Sequence, residues 1–152
     1  EQFFKAFLAN VTSAIEASDR LLFEITESTQ IKNLDLVNNH IKILQQKGFE
    51  VCLDDFGAGA ASFQYLHKLH VNFVKIDGQY TRKLLTSSRD AVMVKNIAAM
   101  CRELDVGVIA EQIEEKAQYE KLLEMGITLG QGYYFSRPVP EPDYDSSSFP
   151  EV

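Results

Sequence analysis

Short apolar runs alternate with amphipathic segments along this chain, and that alternation limits the fold more than any other feature. Residues 1–17 carry Phe4, Leu8, Val11 and Ile15 at helical spacing. Residues 21–26 form a short apolar run, and Leu34, Val37, Ile41 and Leu44 then predict a second amphipathic helix, stopped at Gly48. A strand over 49–54 precedes a short helix carrying Phe63, Leu66 and Leu69, and residues 73–76 read as the next strand. Met93, Ile97, Met100 and Leu104 mark a longer helix, with 106–110 as a strand after it. A helix over about 115–125 ends at Gly126, and 127–134 closes the regular part. The predicted strands are apolar on both faces, the pattern of a parallel sheet covered by helices. The expected class is therefore α/β, with about five parallel strands.

At 152 residues the chain fits one domain, long enough to bury roughly 70% of its unfolded surface. We expect that domain over residues 1–140, with the acidic, Ser-rich residues 141–152 as a mobile tail. The net charge of −7 argues against binding DNA through a basic surface. It leaves room for a phosphate ligand, because carboxylates can hold the metal that holds the phosphate. No apolar run approaches the roughly 18 residues of a membrane span. The N-terminal residues show no signal pattern. The cysteines, Cys52 and Cys101, are expected as reduced core thiols, and a cytoplasmic location follows as the default expectation.

Polar residues recur at the C-terminal ends of the predicted strands. Glu24 lies at the first, Asp54 and Asp55 at the second, Lys75 and Asp77 at the third, Glu111 at the fourth, and Gln131 in the last. Parallel strands bring such ends to one rim, where α/β folds bind ligands. Contact with solvent explains any one of these residues; the convergence of carboxylates, a lysine and an amide points to a metal site. The adjacent Asp54 and Asp55 repel unless a positive group lies between them.

Other motifs carry less. Asp55-Phe56-Gly57 matches the metal-binding triplet of protein kinases, but no glycine-rich ATP loop or His-Arg-Asp segment precedes it. Gly57-Ala58-Gly59 lacks the third glycine of a dinucleotide fingerprint, where Ser62 stands. His40, His67 and His70 have no zinc-type partners. Met93 and Met100 share a helical face with Ile97 and read as core; Lys42, Lys47 and Lys68 read as solvated charges.

Five ordered motifs resemble one family. Phe23-Glu24-Ile25-Thr26-Glu27-Ser28, Asp54-Asp55-Phe56-Gly57-Ala58-Gly59, Lys75-Ile76-Asp77, Ala110-Glu111-Gln112-Ile113-Glu114 and Gln131-Gly132-Tyr133-Tyr134-Phe135-Ser136-Arg137-Pro138 are similar, in order and spacing, to the EAL domain. The resemblance spans about residues 20–140. It implies a TIM-like (β/α) barrel and the family's activity, metal-dependent hydrolysis of cyclic di-GMP to linear pGpG. Glu24, Asp54, Asp55 and Glu111 then resemble metal ligands for Mg²⁺ or Mn²⁺, whose preference for hard oxygen donors they satisfy. Lys75 resembles the lysine that contacts the attacking water and phosphate, and Gln131 the amide that orients water or ligand; Glu111, Lys75 and Gln131 are the candidate catalytic set. Glu27 resembles the glutamate that anchors the loop after Asp55, and Glu114 a supporting glutamate. Asp77 follows the family pattern, with a structural hydrogen bond as an equal alternative.

Two departures matter. Gln112 stands where the family's pattern has glycine, and the loop reads Ala58-Gly59-Ala60-Ala61-Ser62. The Glu-Ala-Leu segment, the Asn-bearing strand before it and the arginine after it do not occur. The chain is thus expected to supply about five of the barrel's eight strands, as its C-terminal portion. Open edges then call for a partner, either a homo-oligomer or the missing barrel half. An upstream sensory or GGDEF domain fits the same resemblance. Alone, the chain is expected to hydrolyse cyclic di-GMP weakly or not at all. The alternative is a non-catalytic EAL-like module that binds cyclic di-GMP or a protein partner.

Overall fold

A computed structural model describes residues 4, 6–8, 11, 21–26, 31–59 and 62–139. Expectations for Ile15, Glu27, Ala60, Ala61 and the 141–152 tail lie outside them. Residues 4, 6–8 and 11 are helical, in keeping with the apolar spacing there. Five strands alternate with helices, and sheet order follows chain order, as expected for the α/β class. The chain divides into two compact units, residues 1–74 and 75–152.

In the first unit, β1 (Leu22–Thr26) pairs in parallel with β2 (Glu50–Phe56), from Leu22 opposite Glu50 to Thr26 opposite Asp54. Between them runs α1 (Leu34–Gln46). The Asn33 side chain caps its start, accepting from the Leu36 amide at 2.9 Å. Gly48, at φ 87°, lets the chain reverse after it into β2. Ile41 and Leu44 are its buried face. Phe23 and Phe49 meet edge-on with ring centres 5.3 Å apart. The strand then buries Val51, Cys52, Leu53 and Phe56, each large side chain contributing about 1.5–3 kcal/mol.

The helix α2 (Ser62–Lys68) follows, and β3 (Phe73–Ile76) begins in this unit. Asn72 registers that strand. Its Oδ1 accepts from the Val51 amide at 3.0 Å and from Gln45 Nε2 at 2.9 Å, and its own N–H donates to the Val51 carbonyl at 2.8 Å.

In the second unit, Lys75 and Ile76 of β3 lead into α3 (Gly78–Lys83), a short helix that the apolar spacing did not announce. Asp77 explains it: the Oδ1 accepts from the Gln79 amide at 2.7 Å, an N-cap. The long helix α4 (Ser88–Glu103) starts at Ser87, whose hydroxyl accepts from the Asp90 amide at 3.2 Å. Its buried stripe is Val94, Ile97, Ala98 and Cys101. Met93 and Leu104 are 37% and 54% exposed, so the expected core face is rotated by one residue. Ile97 is common to both stripes, which is why spacing alone did not separate them.

Strand β4 (Gly107–Ala110) and helix α5 (Lys116–Glu124) come next, and β5 (Leu129–Gly130) pairs in parallel with β4. Only two residues of the expected 127–134 strand are ladder. The backbone then departs because the Ile113 amide donates to the Gln131 carbonyl and the Tyr134 amide to the Ile113 carbonyl. No helix among the described residues is long and apolar enough to cross a membrane.

Candidate functional site

The first unit carries three of the candidate metal ligands. Opposed residues of a parallel pair point to the same side of the sheet, as do residues two apart on one strand. Glu24 lies opposite Cys52, so Glu24, Cys52 and Asp54 share a face. Glu24 is exposed, two residues before the end of β1, and Asp54 is half-buried. Asp55 leaves the alternation: its φ is 56°, in the left-handed region. That conformation costs an L-residue about 1–2 kcal/mol and is tolerated best by Asp and Asn. The strained aspartate faces a turn, in which the Ala58 amide donates to its carbonyl at 3.1 Å.

Ser62 closes the loop that follows. Fully buried, its Oγ accepts from the Gly57 amide at 3.0 Å and donates to the Gly59 carbonyl at 3.1 Å. Sequence reading passed over this serine, treating it only as a failed third glycine. The signal was its place at the first turn of a helix after Gly-Ala-Gly.

The second unit assembles the candidate catalytic set. Lys75 Nζ lies 2.7 Å from Glu111 Oε1, and both residues are buried, at 5% and 8% exposure. Gln131 Nε2 donates to the same Glu111 oxygen at 3.2 Å. Strand β3 supplies the lysine from its second-last position, while the glutamate and the amide stand just past β4 and β5. An ammonium and an amide thus converge on one carboxylate oxygen. Buried ion pairs of this kind contribute little to stability on balance, since desolvation offsets the attraction.

Glu114 is exposed, and its backbone is fixed from behind. The Glu114 and Glu115 amides both donate to Gln118 Oε1, at 2.8 and 3.1 Å, and Gln118 Nε2 donates to the Thr81 carbonyl at 3.2 Å. Gln118, 6% exposed, is a second residue that sequence reading missed; Glu115-x-x-Gln118 is a capping box. Beside this network opens a cavity of about 620 Å³, lined by Gln112, Glu114, Gln131, Tyr133 and Arg137 among others. The Arg137 guanidinium sits 4.6 Å from the centre of the Tyr133 ring. Gly132 packs flush on the strand exit, where an added Cβ would collide with the Ile113 backbone.

Hard carboxylate oxygens, rather than thiolates or imidazoles, make up the candidate donor set, which fits Mg²⁺ or Mn²⁺. His67 and His70 are exposed on or just after α2. Cys52 and Cys101 are buried thiols outside any disulfide, and burial pushes the Cys101 thiol up to about 11.

The EAL domain matches residues 1–138. The chain belongs to the EAL family. Cyclic di-GMP phosphodiesterase PdeB of Shewanella oneidensis is 39% identical over 127 residues, which cover 84% of this EAL chain and 15% of PdeB. The structure of the phosphodiesterase PaMucR in complex with c-di-GMP superimposes with a TM-score of 0.76 at 33% identity, covering 88% of this chain and 56% of that one. BlrP1 of Klebsiella pneumoniae, in a manganese and cyclic di-GMP complex, gives a TM-score of 0.77 at 29% identity, over 86% and 34% of the two chains. This chain spans between 15% and 24% of the length of the curated relatives it matches. The likeness confirms the α/β architecture with five strands as part of an EAL barrel.

Proposed function

We propose that this EAL chain is part of a metal-dependent phosphodiesterase that opens cyclic di-GMP to linear pGpG. The observation that carries the reading is the convergence of the buried Lys75 ammonium and the exposed Gln131 amide on Oε1 of the buried Glu111, with Gln131 lining an open cavity. Relatives of this family carry that activity in their names, and one is solved with manganese and the nucleotide.

Each residue has a role in this proposal. Glu24, Asp54, Asp55 and Glu111 would hold Mg²⁺ or Mn²⁺, which when bound supplies activated water and charge stabilisation for in-line displacement at phosphorus. Lys75 presents a compact ammonium to the phosphate and the attacking water. Glu111 fixes that ammonium at 2.7 Å, and Gln131 fixes Glu111 from the third strand end. Glu27 is proposed as the anchor of the loop after Asp55, and Glu114 as a support held by Gln118. Asp77 supports the site by capping α3 directly after the lysine strand. Tyr133 and Arg137 give the cavity a ring face and a guanidinium, chemistry suited to a base and a phosphate.

The Glu-Ala-Leu segment does not occur in this sequence, so we propose that catalysis needs the other barrel half, from a further segment of the same protein or from a different chain that carries it. The test is chromatography of cyclic di-GMP incubated with Mn²⁺. This chain alone should give little or no pGpG, and the chain joined to the first half of an EAL barrel should give it in a metal-dependent manner. Robust turnover by this chain alone contradicts the half-barrel argument, and none from the joined form contradicts the phosphodiesterase assignment.

A further inference from the structure

Gln112 stands where the EAL pattern has glycine, and its backbone explains the glycine: φ is 54°, a left-handed turn that L-residues enter at a cost. The turn is needed here. It follows Glu111 directly and swings the chain so that the Ile113 amide reaches the Gln131 carbonyl at 3.1 Å and Ile113 is buried. A glutamine at such a position requires compensation, and the structure shows where its side chain goes. It lies across Gly78, the buried first residue of α3. A Cβ added at Gly78 would sit 2.5 Å from Gln112 Oε1 and 2.6 Å from Gln112 Cγ. A side chain at position 78 would push the exposed Gln112 side chain aside.

The two segments joined by this contact are the exits of the strands that carry the ion pair. Gly78 is three residues past Lys75 and one past the capping Asp77; Gln112 is the residue after Glu111. We propose that Gln112 is a positioning residue: laid over Gly78, it clamps the β3 and β4 exits together and so holds Lys75 on Glu111. Its reach lies between two backbones, and its effect on chemistry passes through the pair it registers. The kinetic consequence rests on the phosphodiesterase reading; the clamp itself does not.

The test uses the 152-residue chain without metal, labelled with ¹⁵N on lysine, and follows the Lys75 ammonium signal alongside thermal unfolding. The buried, paired ammonium of the parent chain should give a slowly exchanging signal. Gln112→Ala and Gln112→Gly should both lose or strongly broaden it while backbone amide signals of the first unit stay in place. Gly78→Ala, which must push the Gln112 side chain aside, should lower the unfolding midpoint by roughly 2–4 °C. In the Gln112→Gly background the same change should cost about a third of that or less, because the clashing side chain is gone. An unchanged Lys75 signal in both Gln112 variants overturns the proposal, as does a Gly78→Ala penalty equal in the two backgrounds. Should the joined, active form be in hand, Gln112→Ala should lower kcat by roughly tenfold or more with KM nearly unchanged, the pattern of lost support behind a reacting group. Because the signal and the midpoint are read without turnover, failure of the clamp and failure of the phosphodiesterase reading give different results.

Discussion

Replacing Lys75 by methionine keeps the volume of the side chain and removes its charge. At 2.7 Å and an effective dielectric of about 20, the ammonium and the Glu111 carboxylate attract by roughly 6 kcal/mol. Desolvation costs several kcal/mol for each ion, so the intact pair is close to neutral against an apolar pair of equal volume. Lys75→Met alone is a different matter, because it keeps the cost of burying Glu111 and removes the compensating charge. With Glu111 only 8% exposed, the loss should approach that of a broken buried pair, about 3–5 kcal/mol. For a chain of this length that corresponds to a fall of roughly 6–20 °C in unfolding midpoint. The double variant Lys75→Met/Glu111→Met should return to within about 1 kcal/mol of the parent. Urea denaturation followed by circular dichroism, with a chelator present so that no metal occupies the carboxylate, measures all three. The reasoning is refuted if Lys75→Met costs less than about 1 kcal/mol, or if the double variant is as unstable as the single one.

Two further outcomes follow from the same contacts. Ser62→Ala removes the hydroxyl that bridges the Gly57 amide and the Gly59 carbonyl in the loop after Asp55, and urea denaturation should show a loss of about 0.5–1.5 kcal/mol. Burial raises the Cys101 thiol from 9.0 to about 11, so the folded state holds a proton that the unfolded state releases as pH passes 9. Stability from this group is therefore complete below about pH 9 and lost as pH climbs towards 11, and Cys101 should resist thiol reagents near pH 8 until the chain is unfolded. Prompt labelling of Cys101 in the folded chain would contradict this.

How much of this was legible beforehand depended on range. Helix α1 announced itself through an apolar stripe and a glycine beyond its end, both local signals. The strand carrying Lys75 was placed to the residue because its apolar run has no helical alternative. Helix α4 was found but turned by one residue, since Met93 and Val94 are equally apolar and only packing chooses between them. The β5 region was overextended because Tyr133, Tyr134 and Phe135 look like strand. Instead they form a turn in which Tyr119, Tyr134 and Phe135 pack ring on ring. Glu111 and Gln131 were legible as polar groups at strand ends, but their meeting on one oxygen with Lys75 was not. That contact joins residues far apart in sequence, and no local pattern encodes it. Ser62, Gly78 and Gln118 escaped for the same reason, because their value lies in backbone groups that only the fold brings to them.

The central claim is that the carboxylates of this EAL chain recruit a metal to engage cyclic di-GMP. Isothermal titration of the nucleotide into the chain joined to the first half of an EAL barrel, with Mn²⁺ and then with a chelator, tests it most directly. The account predicts binding that requires the metal and is lost in Asp54→Asn/Asp55→Asn. Binding that survives the chelator would make the chain a metal-independent receptor, and no binding in either condition would remove the nucleotide from its function; either result contradicts the account.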